Sequence, residues 1–568
     1  MQQTGVASSE ACKDSTIDYQ KLVFEYVRHP DQDAIPPARR PVVVVGAGPV
    51  GLALAIDLAQ QQIPVVLLDN DNTLSTGSRA ICFAKRTLEI FDRLGCGDRM
   101  VEKGVSWNVG RVFFKKEQIY TFDLQPEAGH ARPAFINLQQ YYVEGFLAER
   151  AAALPLVDLR WKNRVVGLVQ QADHATLTIE TPEGRYDLQA DYVVACDGGR
   201  SSVRQLLGQQ SKGRQFKDRF LIADVRMKLD RPAERWFWFD PEFHPNQSVL
   251  LHRQPDNVWR IDFQLGWEAD PEEEKKSENI IPRVKALLGQ DAEFELEWAS
   301  VYTFSCQRMD AFRHGRIFFA GDAAHGMSPF GARGANSGVQ DADNLAWKLA
   351  AVVKRQAPDA LLDSYGHERE YAADENILNS TRATDFITPK SAISRLFRDA
   401  VLELAKTQPF ARTLVNSGRL SVPATLYGSP LNTVDSDVFE GKMVPGAAAS
   451  DAPIRDVDGR AAWLLPRAGH SVFTAFVFGD GDDVKRAESA IVQAATLAEM
   501  TVSIVRVPLD AAHALAVQRY DAQAGTVNLL RPDQHVCARW RLADTGRVKA
   551  ALDRARGKSG TAYTCKIS

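Results

Sequence analysis

Three separated stretches carry residues whose types and spacing suit them to hold a flat, negatively charged cofactor. The first is Gly46-Ala-Gly48-Pro49-Val50-Gly51, placed after the β-branched run 42–45 and before Leu52, Ala55, Ile56 and Ala59 at helical spacing. In this G-x-G-x-x-G context the first glycine permits a tight turn and the second admits a pyrophosphate. The third lets helix and strand pack closely. The second stretch is Asp197-Gly198-Gly-Arg-Ser-Ser-Val-Arg204, after the apolar run 192–195. The third begins with apolar residues 317–320, and Gly321-Asp322 then leaves a carboxylate at the strand's carboxyl edge, where ligands bind in open α/β sheets. Pro329 to Gly338 follows, with Gly331, Gly334 and Gly338 among small residues that include Ala335 and Asn336. It runs into a helical pattern starting at Val339, so main-chain amides and the helix dipole there can stabilise a negative ligand atom.

These stretches need a parallel sheet to hold them. The runs 42–45, 65–68, 192–195 and 317–320 read as its buried strands, and the second ends in Asp69-Asn70, where a carboxylate can bond a ribose hydroxyl. Arg79, after Ser78, can reach a dinucleotide's diphosphate, although local sequence equally suits a solvated arginine. The alternating runs 165–170, 177–181 and 186–188 form a small antiparallel meander.

At 568 residues the chain exceeds a single core, and its 25% charged and 45% hydrophobic content is that of a soluble globular protein. A net charge of -4 gives no field for a nucleic acid partner. Seven scattered cysteines without C-x-x-C or zinc spacing predict reduced thiols, a cytoplasmic setting and no metal site. The first 40 residues lack a signal-peptide core and read as an extension. The apolar run 41–56 is too short and too broken by glycine to span a bilayer, so no membrane association is expected.

Taken together, Gly46 to Gly51, the D-G-x-x-S-x-x-R run Asp197 to Arg204, and Gly321-Asp322 followed by P-x-G-x-x-G-x-N from Pro329 to Asn336 resemble the class A, single-component FAD-dependent aromatic hydroxylases. The nearest subgroup in length is the phenol hydroxylase and 3-(3-hydroxyphenyl)propionate hydroxylase type. The resemblance implies that Gly46, Gly48, Pro49, Val50 and Gly51 hold the FAD pyrophosphate, and that Asp69 with Asn70 holds the adenosine ribose. Ser78, Arg79 and Gln139 would lie along the cofactor, and Asp197, Gly198 and Arg204 would serve both FAD and NAD(P)H. Gly321 and Asp322 would take the ribityl chain, and Pro329, Gly334, Ala335 and Asn336 the flavin edge and ring. Where many relatives have Gly-Gln-Gly, this chain reads Gly331-Ala-Arg333-Gly334.

The implied fold is α/β with α+β elements. A Rossmann-like FAD-binding domain covers 41–212 and 306–395, and an antiparallel substrate sheet is inserted over 213–305. Helices and a linker follow over 396–450, then a thioredoxin-like domain over 451–568 that lacks C-x-x-C and so cannot exchange dithiols. The aromatic strand-like runs 220–225, 236–239, 248–252, 258–265 and 298–304 suit an aromatic ligand. His252, Arg253 and Tyr302, with His244 and Arg260, are the candidate substrate contacts.

The implied activity is hydroxylation of a small phenolic substrate with O2 and NAD(P)H through a flavin C4a hydroperoxide, by a homodimer. Two alternatives stay open at this point. One is a related flavoprotein of the halogenase or epoxidase type, although Gly266-Trp267 does not continue as G-W-x-W-x-I-P. The other is a non-catalytic flavin-bound scaffold.

Overall fold

The computed structural model describes residues 18–75, 77, 79–415, 420–456 and 458–558. Its first sheet has the strand order Arg313–His314, Ile317–Phe319, Gly184–Ala195, Arg39–Val45, Val65–Leu68, Val157–Arg160. The last five of these pair in parallel. Their buried Val, Leu, Ile and Phe side chains make near-continuous apolar runs, as expected of strands covered on both faces. The meander is built from Arg164–Gln170, Ala175–Thr181 and Gly184–Ala195, so its last strand continues without a break into the parallel sheet. The helix Pro49–Gln60 packs between the helices Gly334–Val353 and Gln140–Ala152. Asp31 joins Arg160 to the chain ahead of the first strand at 2.6 Å, so residues 18–38 lie on this domain.

The second sheet is ordered His325–Gly326, Glu295–Met309, Ser211–Arg226, Val258–Leu265, Ser248–Arg253, Arg235–Phe239, Val109–Phe114, Glu117–Asp123. It is antiparallel except where Arg235–Phe239 runs parallel to Val109–Phe114. The hairpin 109–123 thus belongs to this sheet although it lies well ahead of 213–305 in the chain. The long helix Asp363–Ile387 and the helices Ala392–Ala405 and Pro409–Leu414 follow.

The carboxyl-terminal unit has strands Phe473–Phe478, Val502–Val507, Val527–Leu530 and Val536–Trp540 in the order second, first, third, fourth. The first pair is parallel and the other two are antiparallel. Its turn 531–535 is buried against the first domain. Arg531 bonds Glu368 at 2.5 Å and Asp533 at 2.6 Å, Lys348 bonds Glu368 at 2.7 Å, and Arg86 donates to the Asp533 main-chain oxygen at 2.7 Å. No described helix is long and apolar enough to cross a membrane.

Candidate active site

A cleft of about 950 Å³ runs from the Gly46 turn to one face of the second sheet. The three glycines occupy different situations. Gly46 has φ +104°, and a Cβ there would stand 2.5 Å from the Cys196 oxygen. At Gly51 a Cβ would stand 1.9 Å from the Gly46 oxygen, so this glycine lies beneath the turn, where it lets helix and strand close up. A Cβ at Gly48 would meet nothing within 4 Å and would project into free space. Pro49, Val50, Asp69, Asn70 and Arg79 line the same end. Asp69 accepts from the Ala47 amide at 2.6 Å and the Asp71 amide at 2.8 Å, and burial raises its pKa above the ordinary carboxylate range. Ser78 lies outside the described residues.

Asp197 and Gly198 line the cleft beside them. The Asp197 Oδ2 accepts from Ser202 Oγ at 3.0 Å and the Val203 amide at 3.1 Å, whereas Oδ1 is buried without a partner among the described residues. Arg204 does not line the cleft. It donates to the main-chain oxygens of Ala323 at 2.8 Å and Gly199 at 2.5 Å, tying the second glycine stretch to the third.

In the third stretch Gly321, Asp322, Pro329, Gly334, Ala335 and Asn336 all line the cleft. The helix Gly334–Val353 has no side-chain cap, so its first amides are left to a ligand. The Asn336 side chain is engaged elsewhere. It accepts from the Ala84 amide at 2.8 Å and Thr87 Oγ1 at 2.6 Å and donates to the Cys82 and Ala332 oxygens, leaving only its main chain for a ligand.

Three further predicted residues, Gln139, Arg253 and His244, lie off the cleft lining. Gln139 is absent from the cleft lining: it precedes the helix Gln140–Ala152, and its Nε2 donates to the Pro255 oxygen. The next residue, Gln140, lines the cleft together with Glu144. Arg253 is also absent from the lining, because successive strand residues point to opposite faces and His252 takes the inner one. Its guanidinium lies 5.9 Å from the Trp259 ring. His244 likewise bonds the Gln264 oxygen at 2.6 Å away from the cleft.

The inner sheet face carries Tyr302, His252, Arg260, Asp262 and Arg235. Arg260 holds Asp224 at 2.8 and 2.7 Å. Burial keeps the His252 pKa well below its usual value, so the ring is neutral, and its Nδ1 has no partner among the described residues. Burial pushes Asp262 up to about 6, and its Oδ1 likewise has no partner among the described residues. Either group can accept a proton. Asp262 and Arg235 escape a sequence reading because single charges on strands carry no mark of which face they occupy. Their alternation with the apolar Ile261 and the indole of Trp236 becomes meaningful only once the register is known.

The open Gly48 approach, the orphaned Asp197 oxygen, the free amides at Gly334 and the size of the cleft fit a dinucleotide that carries a planar ring. Fold and site together define a flavoprotein of the FAD-binding type. The family model described as "FAD binding domain" matches residues 39–380, more than half of the chain. A 3-(3-hydroxy-phenyl)propionate/3-hydroxycinnamic acid hydroxylase of Mycolicibacterium smegmatis is 30% identical over 66% of this chain and 66% of its own length. The chain therefore spans just under two thirds of that relative. The enzyme of the same name from Escherichia coli is 30% identical over 71% of this chain and 73% of its own. Among solved structures, the flavin-dependent monooxygenase PieE in complex with FAD and substrate superposes with TM-score 0.78 at 20% identity, covering 92% and 99% of the two chains. The p-nitrophenol 4-monooxygenase PnpA from Pseudomonas putida DLL-E4 gives TM-score 0.59 at 26% identity, covering 67% and 98%. The chain belongs to the FAD-binding-domain family and, within it, to the class A FAD-dependent aromatic hydroxylases.

Proposed function

We propose that the protein hydroxylates a phenolic ring with NAD(P)H and O2. The observation that carries this reading is the continuity of a single cleft. It joins the glycine turn and the helix amino end, which would hold FAD, to a sheet face bearing Tyr302, His252 and Asp262. Bound there, FAD supplies hydride acceptance and oxygen activation. The chain's own share is positioning, exclusion of water and proton handling.

In this reading the first amides of Gly334–Val353, with Pro329 in the same lining, would hold the cofactor and stabilise negative charge on it. Asp262 or His252 takes the proton of the substrate hydroxyl, which raises electron density on the ring carbon to be oxidised. The chain has no second strand-borne G-x-G-x-x-G for the nicotinamide coenzyme, which supports its binding at the Asp197 to Arg204 run. The carboxyl-terminal strand order supports the thioredoxin-like reading. Exposed Ile393, Leu396, Phe397 and Phe410 support assembly as a homodimer, which light scattering tests. The unpaired thiols of Cys82, Cys96, Cys196, Cys306 and Cys537 support a cytoplasmic setting.

The test of the activity is coenzyme oxidation by the purified holoenzyme with and without 3-(3-hydroxyphenyl)propionate and simple phenols. Phenol-stimulated oxidation with hydroxylated product is expected. Oxidation that no phenol accelerates and that yields no product overturns the assignment.

A further inference from the structure

Arg235, at the start of the strand Arg235–Phe239, is 7% exposed, and its guanidinium has no hydrogen bond or ion pair among the described residues. A buried guanidinium without a counter-ion is costly, and removing a charge from water is ordinarily compensated by a partner. Two other buried arginines of the cleft have partners: Arg260 holds Asp224, and Arg333 donates to Asn376 at 2.9 Å. The imidazole of His252 is neutral. Asp262 faces the same space and attracts Arg235 through the field between them, but forms no ion pair with it.

The position of Arg235 is as informative as its lack of a partner. It lines the main cleft and also a small, mostly apolar annex of about 40 Å³ walled by Val112, Phe122, Phe237, Phe239 and Phe330, with Arg333, already bonded to Asn376, at its side. The guanidinium therefore stands where a ring packed on aromatic and aliphatic side chains would present a substituent. A planar fork of N–H donors in that setting matches a carboxylate, which it can bind through two parallel bonds.

Building on the hydroxylase reading, we infer that Arg235 is the receptor for a carboxylate borne by the aromatic substrate. The site thus selects aryl acids over uncharged phenols of the same shape. An uncharged ligand would leave the guanidinium buried and unpaired, so discrimination arises from that penalty as much as from the new bond.

The test uses the FAD-loaded full chain and reads the ligand-induced change in flavin absorbance. Three probes are titrated: 3-(3-hydroxyphenyl)propionate, its primary amide and 3-ethylphenol. Wild type is expected to bind the acid at least about 30-fold more tightly than the amide. Arg235→Met should lose about 30-fold or more for the acid and change by less than about threefold for the amide, with Arg235→Lys in between. Equal affinity of wild type for acid and amide, or full retention of acid binding by Arg235→Met, overturns the inference. If Arg235→Met does not fold, the wild-type comparison and Arg235→Lys still decide. Coenzyme oxidation with 3-ethylphenol separates the two claims. Stimulated turnover without acid preference defeats the Arg235 assignment alone, whereas absence of turnover with every phenol defeats the hydroxylase reading, and the titration still scores Arg235.

Discussion

Arg204 Nη1 donates to the main-chain oxygen of Ala323 across 2.8 Å, fastening the turn after one central strand to the turn after its neighbour. Arg204 lies outside the cleft lining and joins the two turns that carry Asp197 and Asp322, which both line it. Arg204→Ala removes a charge-assisted bond and is expected to cost about 1.5–3 kcal/mol of stability, together with weakened FAD retention. Thermal unfolding and flavin released on gel filtration check both effects.

Gly46 and Gly48 should respond differently to added bulk. Gly48→Val meets no protein atom near the new Cβ, so the apoprotein should fold with near-normal stability while FAD affinity falls by about tenfold or more. Gly46→Val forces a side chain against the Cys196 and Asp197 backbone at a positive φ, so it should destabilise the fold itself. Circular dichroism melts of the apoproteins, set beside flavin titrations, separate the two outcomes.

Asp262 links the site to pH. Burial raises its pKa to about 6, and Arg235, Arg260 and the neutral His252 share its face while Asp224 is held by Arg260. As pH rises through about 6 the carboxyl loses its proton, which supplies a base for the substrate hydroxyl and adds a negative charge near Arg235. Turnover of a phenol should therefore rise across this range while affinity for an aryl carboxylate weakens. Asp262→Asn should flatten both profiles and lower kcat by about 100-fold or more. Rate and binding measured from pH 5 to 8 check this pair of trends.

Asp57, inside the helix Pro49–Gln60, gives a stability signal away from the chemistry. Burial, followed by the nearby charge of Asp343, raises its pKa from 3.8 to about 7. The native state therefore holds this proton where the unfolded chain has released it, so the residue's contribution declines as pH climbs from about 4 to about 7. Asp57→Asn can still accept the Gln61 bond seen at 2.9 Å. It is expected to stabilise the protein by about 2 kcal/mol at pH 8 and by little at pH 4, as read from paired melts.

How much of this was legible in the sequence depends on the kind of signal. Glycines at fixed offsets between a strand and a helix announce themselves, and the strands Val65–Leu68 and Val258–Leu265 lie where the apolar runs place them. The choice between Gln139 and Gln140 depends on where a helix begins, and one residue there turns a side chain from the Pro255 loop to the cleft. Arg253 and His252 pose the same difficulty in a strand, where a single step exchanges faces. The hairpin 109–123 joins the second sheet by pairing with residues more than a hundred positions away, and no local pattern encodes that partner.

The buried turn 531–535 bears on how the chain can be cut or recombined. Excising the carboxyl-terminal unit would strand Glu368 and Lys348 in the first domain without the Arg531 and Asp533 charges that complete their network, a loss of the kind that costs about 3–5 kcal/mol when one partner of such a set is deleted. The final hundred-odd residues therefore behave as a keystone for the upstream half, and a transplant from a relative would take hold only if it brought a matching Arg-x-Asp tip.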